Sequence, residues 1–425
     1  GGGGGGGGGG GEGLARCPAA PRGPFRTLPM AAGGGGGAPP APHAALGALR
    51  PGYHPCTFDL TEALPDGRPG PAAWVQIFLD SVPSFRARCE GDAGGFAGPG
   101  GEAGRHAAAA AMAERLEAAL RAVLADPEAP RVPAGLEAAA ARGDAALPGP
   151  DCAQLCKVRD EALRQAGFRD PFREVKLADS ERAIGGLRGV LAELDAAPDA
   201  RARAELVLRG CLAGNIADLG AQASAERHGK REAFAEARAG LRLREWAGNR
   251  AGRGFAEAAA ALARGGYRFA CIFLDNHGPD LVLGMLPLAR ELLRGAGGAA
   301  RVLLAVNAAP SINDVTVEDR AVVERAAGEC PELAAALGSG RLELRSTGSD
   351  LPVIDLSRLA PDFVDAAAGC DLVVLQGMGR GIETNLQARF SCDALNMGLV
   401  KHPEVADKLG GELFDCVVHF REPDG

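Results

Sequence analysis

Three polar side chains directly follow an apolar run near the middle of the chain. The run "FACIFL" ends in Asp275, Asn276 and His277, and Asp314 follows another apolar run within "NDVT". Carboxylate and amide oxygens are the ligands that Mg²⁺ and Mn²⁺ take in proteins, with water and substrate phosphate completing the octahedron. Asp275, Asn276 and Asp314 are therefore candidate ligands of a divalent metal.

Each of these residues also has an interpretation without function. An Asp-Asn pair after a strand is commonly a turn or a helix cap, and Asp314 alone suits the N-cap of a following helix. His277 could ligate a metal, but we expect an exposed loop histidine. The functional interpretation depends on these residues falling at corresponding strand ends.

The motif "QGMGR" ends a further apolar run and suits a phosphate group. It consists of Gln376, Gly377, Met378, Gly379 and Arg380. Glycine leaves backbone N–H groups unobstructed and arginine supplies a fixed cation, so Gly377, Gly379 and Arg380 are candidate phosphate-binding residues. Lys401, after the apolar run "MGLV", is a second candidate cation. Glycine after a strand is common, so this motif alone is weak evidence.

Short strands alternating with helices would bring these residues together. Apolar runs at 269–275, 301–308, 341–347, 371–377 and 414–420 predict strands, with helical stretches between them. This alternation, with strands that are apolar throughout, predicts an α/β fold whose mostly parallel sheet has helices on both faces. Sheets of this kind bind ligands beyond the carboxyl ends of their strands.

The first part of the chain has a different composition. Residues 1–50 are rich in Gly, Pro and Ala with almost no periodicity, which predicts a disordered tail. Residues 51–250 show helical spacing, as in the four-residue apolar repeat from Met112 to Leu124, and predict a helical N-terminal subdomain. The α/β core, with the metal site, is predicted over residues 251–425.

Composition and charge argue against several classes of protein. The net charge of −8 argues against a general nucleic-acid binder, and no apolar run reaches the roughly 18 residues that span a membrane. Eleven scattered cysteines are typical of reduced thiols in an intracellular protein. We expect a cytoplasmic location, with organelle targeting by the acid-poor tail left open. Cys152 and Cys156 lack a second pair at metal-site spacing, so core-facing helix cysteines are expected there rather than zinc ligands.

Four segments together resemble the metal-dependent damage-control phosphatases. They are "FLDNHGPDLVLGMLPLARELLRG", "LLAVNAAPSINDVT", "SDLPVIDLSRL" and "QGMGRGIETNLQARFSCDALNMGLVKH". The resemblance is to the stand-alone plant-type members of subfamily II, and the same domain forms the C-terminal part of pantothenate kinase 4. It covers roughly residues 50–423.

The resemblance implies a helical subdomain packed on a Rossmann-like core. It implies that Asp275, Asn276 and Asp314 hold a divalent metal such as Mn²⁺, Co²⁺, Ni²⁺ or Mg²⁺, that Lys401 contacts phosphate, and that Asp275 is catalytic as ligand, nucleophile or base. The expected substrates are small phosphomonoesters, either sugar phosphates such as fructose 1-phosphate or metabolites like 4′-phosphopantetheine. The partner would thus be a small phosphorylated metabolite, not nucleic acid or a membrane, and the oligomeric state is left open.

Two residues depart from the family pattern and keep alternatives open. Gln376 stands where the family has Glu, and His277 stands where it usually has Ser or Ala. Glutamine keeps size and hydrogen bonding but loses a charge, so a catalytically silent binding protein is one alternative. An S-adenosylmethionine-dependent transferase is another, although "DNHGPD" lacks the glycine-rich fingerprint expected after the first strand. Because all three metal positions remain, we favour an active enzyme.

Overall fold

The structure is a computed structural model that describes Gly1 and residues 43–125, 151–217, 231–243, 254–295, 297 and 300–423. Residues 43–423 of this set belong to one compact unit. Residues 2–42 of the predicted tail lie outside the described residues.

A seven-stranded sheet lies at the centre of this unit. Its strands are β1 (Arg242–Leu243), β2 (Phe269–Phe273), β3 (Arg301–Val306), β4 (Leu342–Ser346), β5 (Leu372–Gln376), β6 (Asp393–Leu399) and β7 (Asp415–Arg421). Their spatial order is β1-β7-β6-β5-β2-β3-β4. Neighbours are parallel except β6 and β7, which are antiparallel. The predicted mostly parallel α/β sheet is confirmed.

All of the predicted strands are present, with ends shifted by one or two residues. Strand β6 contains most of the run "MGLV", which places Lys401 just beyond its carboxyl end. Strand β1 was not predicted, because its two residues form no apolar run. It pairs with β7 through Arg242 opposite Asp415 and Leu243 opposite Cys416, and it forms one edge of the sheet.

Helices surround the sheet. They are α1 (Gly70–Gly91), α2 (Gly101–Ala125), α3 (Cys152–Gln165), α4 (Arg173–Asp195), α5 (Ala200–Ala217), α6 (Arg231–Ala239), α7 (Phe255–Arg264), α8 (Leu286–Leu293), α9 (Arg320–Gly328), α10 (Pro331–Gly338), α11 (Pro361–Ala367) and α12 (Pro403–Leu409). Single π-helical turns cover Asp280–Met285, directly before α8, and Gly379–Glu383, after β5. Among the described helices, none is both long and apolar enough to cross a membrane.

Alternate residues of each strand face two different apolar cores. Ile272 of β2 packs in the core that contains Leu187 of α4 and Leu208 of α5. Phe273 faces the other way and packs against Phe363 of α11, with ring centroids 5.7 Å apart. This period of two is the pattern of a strand buried on both faces, and it confirms helices on both sides of the sheet.

Part of the predicted disordered tail packs on the second of these cores. Leu46 is only 2% exposed and lies in the same cluster as Phe273 and Phe363. The Ala44 N–H donates to Leu359 O at 2.9 Å, and Leu49 forms a β-bridge with Phe390. The tail boundary predicted at residue 50 is therefore too late, because "AALGAL" is too short to show a periodicity.

The helices before residue 250 contribute to two cores. Helices α1, α2 and α3 share an apolar cluster that includes Trp74, Leu116 and Leu155. Helices α4 and α5 instead pack directly on the sheet. The helices of the predicted subdomain, residues 51–250, are therefore divided between two apolar cores and do not share a single one.

Candidate active site

The carboxyl ends of β2, β3 and β5 bring the predicted residues to one buried rim. Asp275 follows β2, Asn307 follows β3, and Gln376 ends β5. Asp275 is 6% exposed, and Asn307 and Gln376 are 1% exposed. Strands β2, β3 and β5 are parallel neighbours, which is why residues distant in sequence meet here.

A loop after β3 carries Asp314 back towards Asn276. The Val315 N–H donates to Asp275 O at 2.9 Å, and the His277 N–H donates to Asn313 O at 3.0 Å. These two bonds make Asn276 and Asp314 opposite members of a short β-bridge. Thr316, and not Asp314, caps the helical turn that follows, so the interpretation of Asp314 as an N-cap is wrong.

The guanidinium group of Arg380 joins the two predicted carboxylate ligands. Its Nη1 donates to Asp275 Oδ1 at 2.6 Å, and its Nη2 donates to Asp314 Oδ2 at 2.7 Å and to Asn307 Oδ1 at 2.9 Å. Arg380 is 2% exposed. This buried cation fixes the two carboxylates relative to each other, whereas the sequence predicted a contact with phosphate only.

The donor set left at this rim fits a hard divalent cation. Asp314 Oδ1 is buried and has no hydrogen-bond partner among the residues that the structure describes. Asn276 uses its Nδ2 to donate to Asp275 Oδ2 at 2.6 Å, so its Oδ1 is the atom left to accept a cation. Within the described ranges no three His, Cys, Asp or Glu side chains are arranged to hold a metal, and the candidate set at the rim consists of two carboxylates and the Asn276 amide. An unpaired buried carboxylate oxygen is costly without such a cation.

Electrostatics at the rim favour an added positive charge. Burial raises the pKa of Asp314 to about 7, although the adjacent Arg380 guanidinium acts in the opposite direction and Asp275 adds to the rise. A raised pKa means that the surroundings disfavour the ionised form of the carboxyl group. A bound cation would favour the ionised form.

A third buried carboxylate, Asp280, was not predicted from the sequence. It is 0% exposed and begins the π-helical turn after β2. Burial and the Asp275 carboxylate raise its pKa to about 7, while the charge of Lys401 acts in the opposite direction. The sequence did contain a signal for Asp280, because this acid begins the apolar run "DLVLGMLPL". A carboxylate next to so many apolar residues is buried only when other groups pair with it.

The glycines of "QGMGR" allow close packing at the rim. Gly377 has a φ of +96°, and a Cβ added there would lie 2.2 Å from Asp275 Cγ. A Cβ on Gly379 would lie 2.4 Å from Pro352 O. The Gly377 N–H donates to Met397 O at 2.9 Å, so the expectation that this N–H is open to phosphate is wrong.

Side chains considered as soft metal ligands have structural roles instead. His277 is 3% exposed, not an exposed loop residue as expected; its Nδ1 lies 3.1 Å from Ser180 Oγ and its Nε2 lies 3.0 Å from Asp319 Oδ2. Cys152 and Cys156 are buried on α3 in a small apolar cluster with Leu351 and Val353, among other residues. That burial agrees with core-facing helix cysteines.

Comparison with known proteins decides the family. Residues 80–417 match the family model of the damage-control phosphatase ARMT1-like domain. The chain belongs to the damage-control phosphatase family. Within this family, damage-control phosphatase At2g17340 of Arabidopsis thaliana is 37% identical over 377 residues, which cover 87% of this chain and 94% of that protein.

The chain also matches part of some longer proteins. The 4′-phosphopantetheine phosphatase of Mus musculus is 31% identical over 322 residues, which are 63% of this chain and 38% of the mouse protein. Pantothenate kinase 2 of Arabidopsis thaliana is 35% identical over 302 residues, which are 33% of that protein. A DUF89 family protein of Pyrococcus horikoshii has a TM-score of 0.51 at 19% identity, covering 80% of this chain and 97% of its own, and shows that the fold is shared.

Proposed function

We propose that this chain is a divalent-metal-dependent phosphatase that hydrolyses small phosphomonoesters. The observation that carries the proposal is the buried pair Asp275 and Asp314, bridged by Arg380, in which Asp314 Oδ1 has no hydrogen-bond partner among the described residues. The family assignment, with relatives named as phosphatases, supports the same activity.

Asp275, Asn276 and Asp314 would hold the cation. A cation bound there neutralises phosphoryl oxygens and lowers the pKa of water. The carboxylates are already fixed by Arg380 and Asn307 before any ligand arrives, so little reorganisation is needed on binding. Such preorganisation is what transition-state stabilisation requires.

Positive charge for the phosphate would come from Lys401. It follows β6 at the rim, and its N–H donates to Met378 Sδ at 3.2 Å, which anchors its backbone to the "QGMGR" turn. An ammonium group at this end of the sheet would attract a phosphate dianion and stabilise the charge of its transition state. Arg380 contributes indirectly, because its guanidinium is engaged by the two carboxylates.

Gln376 supports activity rather than a silent binding protein. Its Oε1 accepts from the Asp275 N–H at 3.1 Å, and its Nε2 donates to Asp280 Oδ1. Glutamine therefore makes two specific contacts at the rim although it lacks the charge of the family glutamate. The contact with the Asp275 N–H holds the metal-ligand candidate Asp275 at the end of β2.

The family relatives support a small phosphomonoester as the substrate. The name of the mouse relative suggests 4′-phosphopantetheine, and the family resemblance adds sugar phosphates such as fructose 1-phosphate. Both are small monoesters of primary alcohols.

The test measures phosphate release from p-nitrophenyl phosphate, 4′-phosphopantetheine and fructose 1-phosphate. The protein is first treated with EDTA, and Mg²⁺, Mn²⁺, Co²⁺ or Ni²⁺ is then added singly. We expect hydrolysis only with added metal, and we expect Asp275→Asn and Asp314→Asn each to reduce it at least about a thousandfold.

The matched control is Asp350→Asn, which changes a partly exposed carboxylate paired with Arg164 outside the rim. It should keep full activity, and circular dichroism should show all three variants folded. Metal-independent turnover, or full activity in either rim variant, would show that the proposed function is wrong.

A further inference from the structure

Asp280 is a buried carboxylate whose hydrogen-bond donors are all amides. Its Oδ2 accepts from the backbone N–H of Asn276 at 3.3 Å, from Asn276 Nδ2 at 3.1 Å and from Asn215 Nδ2 at 3.1 Å. Its Oδ1 accepts from Gln376 Nε2. Burying a carboxylate is expensive unless its lone pairs are satisfied, and here four N–H contacts satisfy them.

This bonding fixes which end of the Asn276 side chain faces the rim. The two ends of a carboxamide have nearly the same shape, so only hydrogen bonds decide which is nitrogen and which is oxygen. Asn276 Nδ2 is held between Asp275 Oδ2 at 2.6 Å and Asp280 Oδ2 at 3.1 Å. Its Oδ1 is consequently directed away from both carboxylates, where it can accept a cation.

Two further amides fix Asp280 in turn. Asn215 Oδ1 accepts from the Leu399 N–H at 3.2 Å, so the residue joins α5 to β6. Gln376 Oε1 accepts from the Asp275 N–H at 3.1 Å, so this residue joins β5 to the turn after β2. An amide can accept from Asp275 and donate to Asp280 at once, whereas an ionised carboxylate at position 376 could only accept.

Close packing leaves Asp280 little freedom to move. It begins a π-helical turn, and a Cβ on Gly214 of α5 would lie 2.8 Å from Asp280 Cα. Helix α5 thus approaches the turn directly and brings Asn215 against the carboxylate. π-Helical turns of this kind often occur at functional sites.

We propose that Asp280, held by Asn215 and Gln376, is a positioning residue that orients Asn276 for a divalent cation. The proposal rests on the proposed function, because it requires a cation at the rim. Asp280 itself does not bind the cation.

The experiment exchanges the two functional groups across the Asp280–Gln376 contact. In Asp280→Asn alone, the new side-chain NH₂ group faces at least one of the amide donors that contact Asp280 in the wild type. Two donors then meet without an acceptor between them. In the double variant Asp280→Asn/Gln376→Glu, the new glutamate accepts from both Asp275 N–H and the new asparagine, whose oxygen still accepts from Asn276. The double variant keeps the net charge and the hydrogen-bond pattern of the wild type.

The readout is the Mn²⁺ dissociation constant from isothermal titration calorimetry of the EDTA-treated chain. We expect Asp280→Asn to weaken binding at least tenfold, as is usual when residues that orient metal ligands are changed, and the double variant to return within about threefold of the wild type. At saturating Mn²⁺, the KM for p-nitrophenyl phosphate should stay within about twofold in every variant, because the orienting contact acts on the cation and not on the ester. Asp92→Asn, a buried aspartate in the loop after α1, is the control and should bind Mn²⁺ like the wild type.

Several results would overturn the proposal. Asp280→Asn that binds Mn²⁺ like the wild type, or a folded double variant no better than the single one, shows that Asp280 does not orient Asn276. If Asp280→Asn does not fold, the double variant alone is the test. Mn²⁺ binding like that of the wild type would support the proposal, and lost binding would overturn it. If the wild type itself binds no divalent cation, the proposed function is refuted as well. If the wild type binds the cation and only the Asp280 variants fail to behave as expected, the proposed function stands and the role of Asp280 is refuted.

Discussion

At the scale of the residue, side-chain types could be predicted from the sequence but not their partners. Asp275, Asn276 and Asp314 were identified because oxygen-bearing residues follow apolar strands, and the structure brings them to one rim. The pairing of Arg380 with Asp275 spans 105 positions of the chain, and that of Gln376 with Asp280 spans 96. Contacts this distant depend on sheet order, which local patterns do not specify.

Lys401→Ala tests the assignment of the phosphate cation. We expect kcat to fall about a hundredfold, roughly 2.7 kcal/mol, because an ammonium near the phosphate stabilises the more highly charged transition state. The Mn²⁺ dissociation constant should change little, since an ammonium group is not a ligand. Both quantities are measured on the same preparation.

Lys408→Ala is the matched control, because Lys408 pairs with the exposed Glu62 away from the rim. Its turnover should equal that of the wild type. Unchanged turnover in Lys401→Ala would show that Lys401 does not act on the phosphate. Lost Mn²⁺ binding would show that the division of roles between cation and lysine is incorrect.

At the scale of the element, the strands were predicted well and the turns that follow them were not. Near-continuous apolar runs mark strands buried on both faces, which is why β2 to β5 and β7 were found within two residues. The π-helical turns at Asp280–Met285 and Gly379–Glu383 have no such signature, because their geometry results from tertiary packing. The role of Gly377 in close packing was missed for the same reason.

Gly377→Ala compared with Gly410→Ala separates backbone strain from close packing. Both glycines have positive φ, +96° and +64°, but a Cβ at Gly410 would meet nothing within 4 Å, whereas at Gly377 it meets Asp275. Thermal unfolding should show a loss of about 1 kcal/mol for Gly410→Ala, from the left-handed backbone alone, and about 3 kcal/mol or more for Gly377→Ala.

Activity should follow the same division. Gly377→Ala should lose at least tenfold in turnover, because the added methyl group displaces Asp275, while Gly410→Ala should keep it. Equal effects of the two substitutions on stability and turnover would contradict a packing role for Gly377.

At the scale of the whole molecule, the fold class could be predicted but the division of the chain into cores could not. The described part of residues 51–250 contains helices, as its periodicity indicated, yet that periodicity carries no information about whether a helix packs on other helices or on a sheet. Likewise, the apolar residues near Leu46 form too short a segment for any period, although they pack against the sheet.

Two truncations test where the folded unit begins. A chain starting at residue 43 should unfold at the same temperature as the full chain, because the deleted Gly-, Pro- and Ala-rich segment has almost no apolar periodicity. A chain starting at residue 51 also loses the buried Leu46 and the Leu49 bridge, and should be less stable by about 2–5 kcal/mol, as for removal of a buried leucine side chain. Differential scanning calorimetry measures both.

Leu46→Ala in the full chain is the matched substitution and should reproduce most of the loss seen on starting at residue 51. If the chain starting at 43 is as unstable as the one starting at 51, the deleted segment itself stabilises the fold.

The two outer strands of the sheet have a consequence for behaviour at high concentration. An outer strand with free backbone groups can recruit another chain and start fibrous aggregation, and proteins limit this with short or charged outer strands. Among the described residues, one outer strand, β1, is two residues long, and the other, β4, carries Glu343 and Arg345 on either side of its central Leu344. In the part of the chain that the structure describes, neither outer strand presents a long, uncharged template, which limits growth of the sheet by strand addition during folding and storage.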